Sequence, residues 1–263
     1  MITHPEWQYI GITGFMSREE AILARAAFPA RVLLHNFMTG VLASSKTLAG
    51  GTNKWPSRYP KVEAISEIFL NDRNSLNLIH YSTDDTGPDS FRDQLEQLVK
   101  IGGPNLHGFQ LNVVWPSITM IRNFRESHPD MQIVLQVGKR AMGQYEHRPR
   151  LIAAQIAEYA GLVDYVLIDP SGGNKERFVP LSVLNIFDAI CEQSPSAIRF
   201  GVAGGLGPGR MEHLKEVLRM YSYISIDVEG GVRTPQPEDM LDMWSVMKFL
   251  EEAIQLLYPQ SQV

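Results

Sequence analysis

The feature that most limits the fold of this chain is an alternation of short apolar runs with longer amphipathic segments, repeated eight times. Several of the short runs are apolar on both faces, which is typical of parallel strands covered by helices. They lie at residues 9–14, 31–37, 75–81, 106–115, 132–137, 164–169, 197–203 and 223–228. The segments between them have helical periodicity, and in the first of these Ser17 and Glu20 form a capping-box pattern.

Eight strand–helix units in 263 residues predict an α/β protein, a single (β/α)8 barrel that forms one domain over residues 1–263. An open doubly wound sheet is the alternative, but the segment GITGFM after the first strand lacks the G-x-G-x-x-G fingerprint of dinucleotide-binding folds. A long loop with several glycines and prolines is predicted at residues 39–60, after the second strand. The sequence leaves open whether this loop is a lid.

Composition excludes several classes of function. Lys and Arg total 24 against 29 for Asp and Glu, so the chain lacks the dense positive charge that nucleic-acid binding requires. A single cysteine excludes an intramolecular disulfide or a cysteine metal cluster, and no apolar run reaches the roughly 18 residues of a membrane span. The first residues also lack the pattern of a secretory signal. We therefore expect a cytoplasmic monomer or homodimer that uses no cofactor and no metal.

Glycine is concentrated after the last two predicted strands. The seventh strand runs into AGGLGPG at 203–209, and the eighth is followed by Gly230 and Gly231. Without a Cβ atom, backbone N–H groups can approach a phosphate closely, and barrels commonly bind phosphate in these two loops. We therefore predict that Gly204, Gly205, Gly230 and Gly231 bind phosphate. The alternative is that they only form turns where strand ends are crowded.

Ionisable residues are predicted to gather at the same end of the barrel, where catalytic loops follow the strands. Asp169 and Asp227 end the sixth and eighth strands, whereas His35 and His80 come toward the ends of the second and third. Each histidine is interpreted as a base or substrate contact, or else as a rim residue held by hydrogen bonds. The loops at this end also carry many cations, which in an acidic protein favours a small anionic ligand.

Taken in order, the motifs resemble the phosphoribosylanthranilate isomerase family of tryptophan biosynthesis, whose barrel performs an Amadori rearrangement. The similar segments are GITGFMSREEA at 11–21, PSRY at 56–59, QLNV at 110–113, LID at 167–169, SGGNK at 171–175, AGGLGP at 203–208 and DVEGGVR at 227–233. They span the whole barrel. The resemblance implies an enzyme that isomerises a phosphorylated aminoaldose to an aminoketose by general acid–base catalysis.

The resemblance also implies roles for individual residues. It makes Asp169 the general acid and Arg58 the group that binds a carboxylate of the substrate, a bidentate task that suits guanidinium. It places Gln110 and Lys175 among the substrate-binding residues.

Two residues depart from the pattern of the family. Thr13 occupies the position of the catalytic cysteine base, and an alcohol is a poor base near neutral pH. Glu229 replaces a small hydroxyl residue and brings negative charge to the predicted phosphate loop. A linked hypothesis is that Glu229 or Asp227 abstracts the proton. Two alternatives remain: a different phosphate barrel that acts as an epimerase, lyase or decarboxylase, and a metabolite-binding barrel without catalysis.

Overall fold

The structure is a computed structural model that describes residues 7–29, 34–171, 179–193 and 198–259. Within these ranges eight parallel strands pair in chain order and close on themselves. They are β1 (Gln8–Thr13), β2 (His35–Ser44), β3 (Ser75–Ser82), β4 (Gly108–Leu111), β5 (Gln132–Gly138), β6 (Tyr165–Asp169), β7 (Arg199–Val202) and β8 (Ser225–Val228). The predicted (β/α)8 barrel is confirmed.

Helices cover the outside of the barrel. They are α1 (Arg18–Ala27), α2 (Ser45–Leu48), α3 (Ile65–Ile68), α4 (Pro88–Gly102), α5 (Ile118–Ser127), α6 (Lys139–Gly143), α7 (Pro149–Ala157), α8 (Pro180–Gln193), α9 (Leu214–Met220) and α10 (Met243–Leu257). The capping box predicted for α1 is present, since the Ser17 side chain accepts from the Glu20 amide while the Glu20 carboxylate accepts from the Ser17 amide. Across the described ranges, no helix is long and apolar enough to cross a bilayer.

Apolar side chains fill the barrel on both sides of the sheet. The interior cluster comprises Tyr9, Met38, Leu76, Leu78, Val134, Tyr165, Leu167 and Ala203, and a larger cluster lies between the strands and the helices. Each large apolar side chain that is fully buried stabilises the fold by roughly 1.5–3 kcal/mol. Because the interior is filled, a ligand site has to form at an end of the barrel.

The second strand corrects the sequence prediction. It was expected at 31–37 with a loop from residue 39, but β2 runs over His35–Ser44 and the short helix α2 follows directly. Gly40 suggests a loop in the sequence, yet it lies inside the strand, where a Cβ would come within 2.5 Å of the Thr13 hydroxyl oxygen. Close packing between neighbouring strands requires a glycine there. The irregular segment therefore begins only after Leu48.

Candidate active site

A cavity of about 130 Å³ opens at the carboxyl ends of the strands. Its wall combines residues at the ends of β3 to β6 and β8 with the loops after β2, β7 and β8. Those residues are Arg58, His80, Gln110, Gln136, Asp169, Ser171, Ala203, Gly204, Gly205, Leu206, Arg210, Asp227, Val228, Glu229, Gly230, Gly231, Thr234, Gln236 and Asp239. The structure thus brings together most of the site residues predicted from the sequence.

Asp227 is the most deeply buried carboxylate of this cavity, with 3% of its surface exposed. Its Oδ1 accepts a hydrogen bond from the Thr13 hydroxyl at 3.0 Å, and its Oδ2 accepts one from Gln110 Nε2 at 2.9 Å. Burial raises the pKa of Asp227 to about 7 against the lowering effect of those two hydrogen bonds, and the charges of Glu229 and Asp169 add to the rise. Asp227 is therefore suited to gain and lose a proton at neutral pH.

Asp169 is connected to Asp227 by two side-chain amides. Gln136 Nε2 donates to Asp169 Oδ2 at 2.9 Å, and Gln110 Nε2 donates to Gln136 Oε1 at 3.1 Å. The other Asp169 oxygen accepts from the backbone N–H and the hydroxyl of Ser171, at 3.0 and 2.6 Å. These contacts hold both carboxylates in fixed positions on the cavity wall.

Gln136 was missed by the sequence analysis. It faces the same side of β5 as Val134, which belongs to the interior cluster. A polar side chain on the inward face near the carboxyl end of a barrel strand was the signal that could have revealed it, because such positions lie at the catalytic face.

The two histidines lie at opposite ends of the barrel. His80 lines the cavity, where its Nδ1 is 3.3 Å from Gln110 Nε2, and burial lowers its pKa, so the ring is neutral. His35 begins β2, and its Nε2 donates to the carbonyl oxygen of Ile224 while its Nδ1 accepts from the Tyr258 hydroxyl. The prediction that His35 faces the cavity was wrong, because the strand starts where it was expected to end.

Thr13 has no exposed surface and is not part of the cavity wall. Its expected catalytic position is therefore corrected: the hydroxyl lies beneath the site and donates to Asp227. Lys175, expected to bind substrate, lies outside the described residues.

The glycine loops after β7 and β8 form part of the cavity wall. Within the described ranges, the N–H groups of Gly204, Gly205, Gly230 and Gly231 donate to no protein acceptor. The Arg210 guanidinium spans the two loops, with Nη2 donating to the carbonyl oxygens of Leu206 and Gly231 at 3.3 and 3.4 Å. The two loops and this cation thus form one concave surface.

Crowding explains some of these glycines but not all of them. A Cβ at Gly231 would lie 1.9 Å from the Leu206 carbonyl oxygen, and one at Gly204, whose φ is +85°, would lie 2.3 Å from Asp169 Oδ1. At Gly230, in contrast, a Cβ would meet nothing within 4 Å. Packing therefore requires glycine at positions 204 and 231. It does not explain why position 230 is also a glycine.

Arg58 lines the cavity but is held by carboxylates of its own chain. Its Nε and Nη2 donate to the two oxygens of Asp239 at 2.6 and 2.9 Å, and its Nη1 donates to Glu229 Oε1 at 2.5 Å. The face of the guanidinium lies 4.9 Å from the centre of the Trp55 ring. Glu229 is thus paired with Arg58, and its charge still contributes to the raised pKa of Asp227.

Arg233 fixes this ion cluster from below. Its guanidinium is almost completely buried and donates to the carbonyl oxygens of Gly14, Ser57 and Asp239 at 3.2, 2.9 and 2.8 Å. It ties the loops after β1 and β2 to the loop after β8.

No protein-family model matches the sequence, and no curated protein matches it. Solved structures share the barrel. The phosphoribosyl anthranilate isomerase from Thermococcus kodakaraensis is 15% identical with a TM-score of 0.58, and the match covers 94% of this chain and 98% of that one. The catalytic domain of a hyperthermophilic chitinase from Pyrococcus furiosus is 10% identical with a TM-score of 0.59, and 97% of each chain is covered.

A Rubisco-like protein from Rhodopseudomonas palustris is 11% identical with a TM-score of 0.57, and the match covers 98% of this chain and 66% of that one. These three neighbours are TIM barrels with different names. At such low identities the similarity establishes the (β/α)8 fold, and the function has to be argued from the site.

Proposed function

We propose that the protein is an acid–base isomerase that converts a phosphorylated aminoaldose into the corresponding aminoketose. The observation that carries the proposal is the pair Asp169 and Asp227, two carboxylates in one cavity wall that also contains the glycine loops after β7 and β8. A proton donor and a proton acceptor beside an anion site meet the needs of an aldose–ketose conversion of a sugar phosphate.

The phosphate group is assigned to the glycine loops. The N–H groups of Gly205 and Gly230 offer hydrogen bonds to its oxygens, and the Arg210 guanidinium supplies positive charge beside them. The open space at Gly230 supports this assignment, because turn formation alone does not explain a glycine there. Glu229 does not oppose the anion, because its carboxylate is paired with Arg58.

Asp169 acts first, as the acid, in the form of the pair in which Asp169 carries a proton and Asp227 is ionised. It donates a proton to the ring oxygen of the sugar, and the C1–O bond breaks as the electron pair on nitrogen forms an iminium ion with C1. Asp227, as a carboxylate, then takes the proton from C2. The C2–H electron pair forms a C1=C2 double bond, and the electrons of the C=N bond return to nitrogen.

The resulting enaminol is converted to the ketone without any change in oxidation state overall. Asp169 takes the proton of the C2 hydroxyl, the carbonyl forms at C2, and Asp227 returns its proton to C1. A base with a pKa of about 7 removes a carbon-bound proton more effectively than an ordinary carboxylate. Burial of Asp227 thus offsets the absence of a thiol at Thr13.

The test follows the reaction by proton NMR in D2O, with the N-(5-phosphoribosyl) derivatives of anthranilate and of anthranilamide as substrates. We expect conversion of at least one compound to a ketose that carries solvent deuterium at C1, because Asp227 exchanges its proton with the solvent. The N-ribosyl compounds without phosphate are the control and should react more slowly.

Two outcomes would contradict the proposal. Conversion of neither compound would exclude this reaction. If sugar phosphates raised the melting temperature at the same time, the metabolite-binding barrel would be favoured. Equal rates with and without the phosphate group would contradict the assignment of the glycine loops.

A further inference from the structure

The described part of the cavity wall contains few cations that a negatively charged ligand could use. Among the described residues of its wall, Arg58 and Arg210 are the only lysines or arginines, and burial lowers the pKa of His80, which favours its neutral form. Arg210 lies across the two glycine loops and serves the phosphate in the function proposed above. Among the described residues, Arg58 is therefore the cation that a second anionic group on the substrate would meet.

Arg58 has little capacity for another anion. Asp239 occupies the Nε and Nη2 positions in a bidentate pair, and Glu229 occupies Nη1. Only 13% of the Arg58 side chain is exposed, and one face lies over the Trp55 ring. The surrounding protein thus already supplies the carboxylates that a bidentate arginine recognises.

Among the described residues, the positive charges of the ion cluster around Arg58 are matched by its carboxylates. Arg58 and Arg233 balance Asp239 and Glu229, which leaves Asp169 and Asp227 as further acids in or at the cavity. A substrate carboxylate that displaced Glu229 from Arg58 would release one more negative charge beside these two. Such a juxtaposition of like charges in a partly buried site is unfavourable.

We propose, on the basis of the isomerase function proposed above, that the group on the substrate nitrogen carries no negative charge. The preferred substrate is a phosphorylated aminoaldose with a neutral or cationic nitrogen substituent, such as a carboxamide or an alkyl group. Glu229 is the specificity-determining residue, because it occupies the guanidinium position that a substrate carboxylate would need. The carboxylates of Asp169 and Asp227 also favour the iminium intermediate, because that intermediate is positively charged.

The test compares two substrates that differ by one charge. N-(5-phosphoribosyl)anthranilate carries a carboxylate on its ring, and N-(5-phosphoribosyl)anthranilamide has a neutral carboxamide in its place. We expect kcat/KM for the carboxamide compound to exceed that for the carboxylate compound by at least about tenfold. The ratio of the two values is the readout, because a general change in catalytic power leaves it unchanged.

Two variants identify the residue responsible. Glu229→Gln frees Arg58 Nη1 while keeping the size of the side chain, and it should move the ratio about tenfold toward the carboxylate compound. Glu238→Gln removes the same charge from an exposed position in the loop after β8, and its ratio should stay within about twofold of the unchanged protein. The melting temperature of each variant verifies that it is folded.

The outcomes separate this inference from the function on which it rests. A preference of the unchanged protein for the carboxylate compound would overturn the inference and leave the isomerase function standing. An unchanged ratio in Glu229→Gln would overturn the role of Glu229. Conversion of neither compound would overturn the isomerase function and this inference together.

Discussion

The two ends of the barrel both contain buried polar side chains, but they use them differently. At the amino end His35 is bonded at both ring nitrogens, and Gln8 donates to the Tyr223 carbonyl oxygen while accepting from the Ser225 hydroxyl. At the carboxyl end the Oε1 atom of Gln110 is buried with no partner among the described residues, and carboxylates surround a cavity. Buried polar atoms without a described partner also occur at the amino end, at Asn36 and Ser75. At the carboxyl end such an atom lies beside a cavity, where it is available to a ligand.

The largest expected effect is a difference in kcat between a variant at the carboxyl end of the barrel and a variant at the amino end. Asp227→Asn removes the base and should lower kcat of the proposed isomerisation by roughly a thousandfold, which is typical for loss of a general base. His35→Gln keeps a donor and an acceptor at the amino end and should change kcat less than about twofold. Both values are obtained by the NMR assay. A large loss in His35→Gln together with a small one in Asp227→Asn would reverse the comparison.

The two glycines of the β8 loop should respond differently to alanine. Gly231→Ala places a Cβ 1.9 Å from the Leu206 carbonyl oxygen and should destabilise the protein by about 3 kcal/mol, or prevent folding. Gly230→Ala places its Cβ in open space and should change the stability by less than about 0.5 kcal/mol.

Urea unfolding measures the stability of both glycine variants, and titration with a sugar phosphate measures affinity. Gly230→Ala should weaken phosphate binding about tenfold, because the methyl group narrows the access to the backbone N–H groups. Full affinity in this variant would count against the phosphate cradle without affecting the packing argument for Gly231.

The pH dependence of stability should have opposite signs at the two ends. The pKa of Asp227 is about 7 in the folded protein against 3.8 ordinarily, so its favourable contribution is complete below pH 4 and is lost as pH rises through 7. Burial lowers the pKa of His35 from 6.5 to about 4, so its contribution is complete above pH 6.5 and is lost as pH falls through 4. The change amounts to about 4 kcal/mol for Asp227 and about 3 kcal/mol for His35.

Melting temperatures across pH 4 to 8 check these signs. Relative to the unchanged protein, Asp227→Asn should gain stability with rising pH, and His35→Gln should gain stability with falling pH. If the stability of both variants changed with pH in the same direction, the opposite pKa shifts of Asp227 and His35 would be contradicted.

The smallest expected effect concerns Thr13, a fully buried residue of β1 whose hydroxyl donates a hydrogen bond to Asp227. Thr13→Val removes the hydroxyl hydrogen bond to Asp227, which lowers the pKa of that carboxyl in the unchanged protein. The pKa of Asp227 should therefore rise by up to about one unit, and the rising limb of the pH–rate profile should move with it. An unmoved limb with a reduced rate would assign Thr13 a purely structural role.

Much of the architecture could be predicted because the signals are local. Apolar runs that alternate with amphipathic segments specify parallel strands under helices, and Ser17 with Glu20 specifies the start of α1. The error at β2 is also local in origin. Gly40 suggests a loop in isolation, and only the adjacent Thr13 side chain on β1 shows why a strand has glycine there.

The site was predicted less completely, because its function depends on partners distant in sequence. Asp169, Asp227 and His80 were found from their positions at strand ends. Gln136 was not found, because a glutamine at the end of β5 has meaning only once Gln110 and Asp169 lie on either side of it.

The sequence by itself determined the barrel, the direction of its strands and the collection of acidic residues and glycines at their carboxyl ends, because periodicity and turn chemistry act over a few residues. Only the tertiary structure decided that Asp227 is buried enough to have a pKa of about 7, and that Arg58 is occupied by Asp239 and Glu229. Desolvation and ion pairing depend on groups more than a hundred residues apart in the chain, which meet only when the barrel closes.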